Sequence, residues 1–151
     1  MKVVADTNTL VSALLWHGPP RQLLGAIESG NVELVTSVAL RLELDDVIHR
    51  PKFRRQIREQ KINLSHLLSD LDARLTILNC PPLAAPVVIA DPDDDAVLAC
   101  AVAAGVDGIV TGDDDLLALR SFRGIPILTA AQALAKLRLR KPITARSARR
   151  S

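Results

Sequence analysis

Aspartates crowd one short stretch of this chain. Residues 91–115 hold eight of them (Asp91, Asp93, Asp94, Asp95, Asp107, Asp113, Asp114 and Asp115) and no lysine or arginine. Carboxylates that share a site without counter-charge raise one another's pKa. They must be solvated, protonated or bound to a cation. A divalent cation resolves the repulsion, and an all-oxygen donor set selects Mg²⁺ or Mn²⁺. Two aspartates also close apolar runs: Asp6 ends VVAD, and Asp113 ends IVTGD. Both fall where a strand of a parallel sheet would finish, and ligand sites in such sheets lie beyond the strands' carboxyl ends. The chemistry expected is a carboxylate metal site fed by Asp6, by Asp94 or Asp95, and by Asp113.

Glu43 joins them by a different argument. Leu40, Leu44, Val47 and Ile48 make the apolar stripe of a helix. At about 100° per residue, Glu43 lies about 40° from Val47, on the flank of that stripe. An acid beside a buried face needs a partner, and a metal or a metal-bound water would serve. Plainer readings stand beside these. Asp6 could cap the first helix, Asp91 or Asp93 a later one, and Asp113–Asp115 could be a capped turn with acids in a first helical turn. Asp45, Asp46, Asp70 and Asp72 fit a solvated face, and Glu43 could reach water along its stem. Four separated segments nevertheless carry acids to positions expected to converge.

The elements that must position these groups alternate between strand and helix. Residues 2–5 read as a buried strand, and Thr7–Leu15 as a helix broken by WHGPP. Pro19 and Pro20 can open the next helix, since a proline in the first turn loses no hydrogen bond. That helix runs to about Glu28. Residues 32–36 are β-branched and alternate, so they read as a strand. Ser37 caps a helix from Val38 to about His49, which Arg50-Pro51 ends. A basic stretch, RPKFRRQIREQK, follows, and then an amphipathic helix over 64–75. Thr76–Leu78 reads as a strand, and a proline-rich connection follows it. Asp94–Ala104 is a helix closed by Gly105. Gly108–Thr111 is a strand, Asp113–Leu119 a short helix and Ile125–Leu128 a last strand. Thr129 caps a last helix, and the basic tail from Arg138 is expected to fray. This order gives an α/β domain with a mostly parallel sheet.

Composition narrows the function classes. The chain has 151 residues, 48% apolar and 24% charged, which fits one globular domain with its own core. No apolar run reaches the ~18 residues of a membrane span. MKVVADTNTL carries an acid and no apolar h-region, so no secretory signal is expected there. Cys80 and Cys100 form no paired motif and read as buried free thiols, which places the chain in the cytoplasm. Two cysteines and the separated His17, His49 and His66 show no zinc spacing. Only Trp16, Phe53 and Phe122 are aromatic, so base stacking cannot be the main way of holding nucleic acid. The formal charge of +2 conceals a division. The six basic residues from Arg138 onward have no acid among them, and without them the charge is −4.

Three segments together carry a family pattern. VVADTNTLVSALL, LRLELDDVIHRPKF and DPDDDAVLACAVAAGVDGIVTGDDDLLAL, in this order and at these spacings, resemble the PIN-domain family. More narrowly they resemble its prokaryotic branch of toxins from toxin–antitoxin systems. The resemblance covers about residues 1–137, which sets a nuclease domain there and leaves 138–151 as a flexible basic tail. It implies a three-layer α/β/α fold with a mostly parallel central sheet. It also implies a Mg²⁺- or Mn²⁺-dependent endoribonuclease, cytoplasmic, homodimeric and neutralised by an antitoxin protein.

The resemblance maps the acids as Asp6, Glu43, an aspartate of the Asp94–Asp95 pair, and Asp113, with Asp115 assisting. Asn8 and Thr111 match positions that orient the acids. Both members of the pair are acidic here. Asp95 precedes AVLACA as in the shorter toxins, while Asp94 fits the longer DPDD pattern. The catalytic set is therefore read as Asp6, Glu43, Asp95 and Asp113, with Asp94 and Asp115 as further metal ligands. In-line hydrolysis leaving a 5′-phosphate and a 3′-hydroxyl is implied.

An acidic site repels RNA unless cations draw it in. Arg50, Lys52, Arg54 and Arg55 are the expected contacts, with the tail as a second basic segment. The alternative is a non-catalytic nucleic-acid-binding or regulatory module on the same fold. A small-molecule phosphohydrolase is weaker, because Asp6 is followed by Thr7 and Asn8 rather than by the D-x-D of such enzymes.

Overall fold

Short, fully apolar runs can form strands only where both faces of the sheet are covered. That is how the apolar parts of KVVA, ELVTS and GIV are used, all of them buried. We describe residues 1–85, 87 and 92–139 of the chain in a computed structural model. The elements follow in the order β1 (Lys2–Ala5), α1 (Thr7–Leu15), α2 (Pro19–Glu28), β2 (Glu33–Ser37) and α3 (Val38–Ile48). A 3₁₀ turn (Pro51–Phe53), α4 (Arg54–Glu59), α5 (Leu64–Asp72) and β3 (Leu75–Leu78) come next. Then come α6 (Pro92–Ala104), β4 (Gly108–Val110), α7 (Asp114–Leu119), β5 (Ser121–Phe122) and β6 (Ile125–Leu128). A last helix, α8, spans 130–139.

The six strands make one sheet in the order β3-β2-β1-β4-β6-β5. All pairs are parallel except β5–β6. Val4 of β1 pairs with Val35 of β2 on one side and with Ile109 of β4 on the other. The chain thus winds outward from β1 in one direction through β2 and β3, then restarts beside β1 with β4. The sheet's switch point lies between β1 and β4, where a crevice opens beyond the strand ends. Asp6 follows β1 there, and Thr111 to Asp113 follow β4.

Alternate residues of each strand enter opposite cores, as the pleat requires. Val3, Ala5, Leu34 and Val110 join the core under α1, α2, α5 and α8. Val4, Val35 and Ile109 join the core under α6 and α7. The fold is therefore three layers, α/β/α. Helix α3 serves both cores, giving Leu40 to the second and Leu44, Val47 and Ile48 to the first. Glu43 stands between those two sets.

Arg41 fixes α3 from its outer side. Its guanidinium grips Asp72 at the end of α5 with two bonds of 2.6 and 3.0 Å, and Asp45 with one of 2.9 Å. Asp72 foremost, then Asp45, holds the guanidinium above its ordinary pKa against the cost of burial. The carboxylates are about half exposed, so they can regain water if the cation is removed. Arg41→Ala is expected to destabilise the fold by about 1 kcal/mol, through the pair and the stem packing together. Urea unfolding measures this, and a midpoint equal to that of the wild type would remove the clamp from the account.

The structure differs from the sequence reading at several boundaries. The helix expected over 64–75 ends at Asp72, and β3 starts at Leu75. Helix α6 starts at Pro92. Part of the basic stretch is helical, as the 3₁₀ turn and α4. Helix α8 carries Arg138 within it, whereas fraying was expected from that residue. The rest of the tail, 140–151, lies outside the described residues, as do Pro86, residues 88–90 and Asp91. Both cysteines are free thiols. Burial first, and then the neighbouring Cys80 thiol, push Cys100 up to about 12, so it stays protonated and unreactive. No described helix is long and apolar enough to cross a membrane.

Candidate active site

The backbone fixes Asp6 before any ligand is considered. Its own N–H donates to Val110 O (3.1 Å), which ties the end of β1 to the end of β4. Asp6 is extended and caps α1, with Oδ1 accepting from Thr9 N at 2.8 Å. Its Oδ2 accepts from the Thr111 hydroxyl. Thr111 is held in turn by its N–H to Leu128 O of β6 (2.9 Å). The Thr111 oxygen also accepts from Asp113 N at 2.9 Å. A single relay thus runs from the start of α7, through a buried threonine, to the carboxylate after β1. Asp6 and Thr111 are 6% and 1% exposed, so water competes little for these bonds.

Asp113 repeats the capping pattern. Its Oδ1 accepts from Asp115 N (2.8 Å) and Leu116 N (3.1 Å) at the start of α7. The capping readings of Asp6 and Asp113 are both realised. They do not compete with a site, because a carboxylate has two oxygens and several lone pairs.

Asp6, Glu43, Asp94 and Asp113 line one cleft of about 140 Å³. It stands at the switch point. Val47 and Val97 give it apolar walls, Thr7 and Asn8 flank Asp6, and Arg50 reaches its lining. Thr7 is a lining residue beyond those expected from the sequence, and its place directly after Asp6 is the signal for it. Asp94 is 5% exposed.

Other expected residues stand elsewhere. The structure brings Asp94 to the cleft and does not bring Asp95 there. Neighbouring residues on a helix point about 100° apart, so one helix cannot turn both into the same small cleft. Asp95 accepts the Val87 N–H at 3.1 and 3.2 Å and lines a separate cavity beside Cys80, Leu83 and Ala99. Asp115 is exposed in the first turn of α7, where the helix dipole favours it, and is not part of the cleft lining.

The expected RNA contacts divide in the same way. Arg50 lies against the cleft and pairs with Asp46 at 3.2 Å. Lys52 sits 5.1 Å from the centre of the Phe53 ring, and Arg55 pairs with Glu59 at 2.9 Å. Arg54 is exposed, and none of Lys52, Arg54 and Arg55 lines the cleft.

Among the described residues the donor set of the cleft is oxygen, from four carboxylates, one hydroxyl and one amide, with no imidazole or thiol. That chemistry fits a hard divalent cation and not zinc. Among the described residues, no three acidic, imidazole or thiol groups stand at ligating spacing around one point. The carboxylates share a cleft without being drawn onto a common centre.

A family model described as PIN domain matches residues 2–115. The match takes in the four cleft acids and both sides of the switch point. No curated protein matches the sequence.

Proposed function

This chain belongs to the PIN-domain family, which is in general one of nucleases, and on that premise we propose that it is a metal-dependent endoribonuclease. The observation that carries the reading is the meeting of four acids, from four separate segments, in one oxygen-lined cleft at the sheet's switch point. Mg²⁺ or Mn²⁺ bound there would activate a water and stabilise charge on the phosphate oxygens. Asp6, Glu43, Asp94 and Asp113 are the residues to hold it. Thr111 keeps the Asp6 carboxylate in one rotamer, and the relay to Asp113 N links the two acids. Glu43 or Asp113 would orient the attacking water or take its proton. Cleavage would leave a 5′-phosphate and a 3′-hydroxyl.

Among the described residues Arg50 is the cation that lines this cleft, and we assign it to the substrate phosphate. Asp46 holds its guanidinium without burying it, since half of the side chain stays exposed. Arg50→Ala is expected to raise KM for single-stranded RNA about tenfold, and to make binding less steeply dependent on salt by about one phosphate contact. An unchanged salt slope would take Arg50 out of the interface.

The resemblance of the three sequence segments supports a finer reading, as a cytoplasmic toxin that forms a homodimer and is silenced by an antitoxin protein. Growth arrest on induced expression, absent in a cleft variant, tests this. The competing reading is a nucleic-acid-binding module without catalysis. Cleavage of single-stranded RNA with Mn²⁺ separates the two. RNA bound but uncut, with either metal, would decide for the module.

A further inference from the structure

A second concavity opens beside the acid cleft. At about 600 Å³ it is some four times larger, and it falls within the roughly 300–1,000 Å³ of small-ligand pockets. The two share Asn8 and Asp113 in their linings, so whatever lies on the acids continues directly into the groove. Its chemistry is distinct. Asp113 and Asp114 are its charged residues, and among the described residues no lysine, arginine or histidine lines it. From the described residues a phosphate placed there would meet two carboxylates and no counter-charge, which is the wrong lining for the backbone of RNA.

It is suited to a neutral group rich in donors and acceptors. Thr111 and Thr129 already use their hydroxyls, on Asp6 and in capping Gln132 N. Asn8, the largely buried Thr9 beside it, and Ser12 one helical turn further on α1 are the neutral side chains with polar atoms to offer. Pro19 and Pro20 add a rigid apolar surface against which a flat ring can lie. Hydrogen-bonding groups next to an apolar plate match a nucleobase and its ribose.

We propose that this groove is a nucleoside subsite, seating the base and sugar of the nucleotide that flanks the phosphate held at the acid cleft. The proposal rests on the nuclease reading for what occupies the cleft, and it adds where the strand runs and how it is read. Arg50 and the acids deal with the phosphate. The groove, lined by no cation among the described residues, deals with the neutral part and gives the cut its local base preference.

Two measurements on the full chain test it. The first needs no metal and no catalysis. Each of the four ribonucleosides is titrated in turn while amide chemical shifts are followed. Shifts should gather at Asn8, Ser12, Gly112 and Ala131, and should weaken in Ser12→Leu, which fills the groove. Ala131→Leu fills it from the opposite wall at an exposed helical position and serves if the first variant folds poorly. The second measurement compares an RNA oligonucleotide with one that lacks the base beside the cleaved bond. The missing base should slow the wild type about tenfold, and should slow the filled variants much less, because they have already lost the subsite. Shifts spread over the surface, or the same abasic loss in wild type and variants, would overturn the subsite. Shifts gathered at the groove in a protein that cuts no RNA would uphold the subsite and bring down the nuclease reading instead.

Discussion

Asp6→Asn is expected to lower metal-dependent RNA cleavage at least about 100-fold while leaving the protein folded. Loss of a group that merely supports a metal ligand costs about 10–100-fold, and a direct ligand should cost no less. The structure explains why asparagine is the informative choice. Asparagine caps a helix as well as aspartate does, so the bond from Thr9 N to the side-chain oxygen can persist. What is lost is the negative charge that Thr111 points at. Asp6→Ala should lose activity to a similar degree and also destabilise the fold by about 1–2 kcal/mol. It removes the α1 cap and leaves the buried Thr111 O–H without its acceptor, although the Thr111 oxygen keeps the Asp113 N–H. The measurements are RNA cleavage with Mn²⁺ and urea unfolding on the same preparations. Asp6→Asn cleaving within about threefold of wild type would falsify a role for this carboxylate in the chemistry.

Much of that arrangement can be read in the sequence, for identifiable reasons. Apolar runs that end in aspartate, VVAD and IVTGD, announce both the strands and the place where chemistry sits, because a parallel sheet buries its strands and opens its crevice at their ends. Helix α1 is legible to the residue, since Asp6 caps it and WHGPP breaks it. Strand β5 is not. It has two residues, and its turn into β6 uses Arg123 and Gly124, both at positive φ. An arginine there gives no signal of such a turn, where asparagine or aspartate would. The large groove is illegible for another reason. Ser12, Pro19 and Thr129 meet only after the sheet has brought both halves of the chain together. No spacing along the sequence encodes that meeting.

Asp94→Asn and Asp95→Asn should part company, the first losing cleavage about 100-fold or more and the second staying close to wild type. In the sequence the two are adjacent and chemically identical, so pattern alone leaves them interchangeable. The helix separates them. Asp94 is turned into the cleft with Asp6, Glu43 and Asp113 and is nearly excluded from water. Asp95 is turned about 100° away, where its two oxygens receive the Val87 N–H. Its carboxylate is therefore occupied in holding the Val87 backbone. Asp95→Asn keeps an oxygen for that N–H and should cost stability less than about 1 kcal/mol. Asp95→Ala should cost more, and it should show as faster amide exchange at Val87 rather than as lost cleavage. Metal binding gives a second readout that does not depend on turnover. Asp94→Asn should weaken Mn²⁺ binding, measured by calorimetry, by about 10–100-fold, with Asp95→Asn unchanged. The reverse pattern would mean that the helix turns on its axis when the cation binds, bringing Asp95 to the cleft in place of Asp94. Equal losses in both variants would mean that the charge of the whole acidic stretch, and not one placed carboxylate, is what the cation senses.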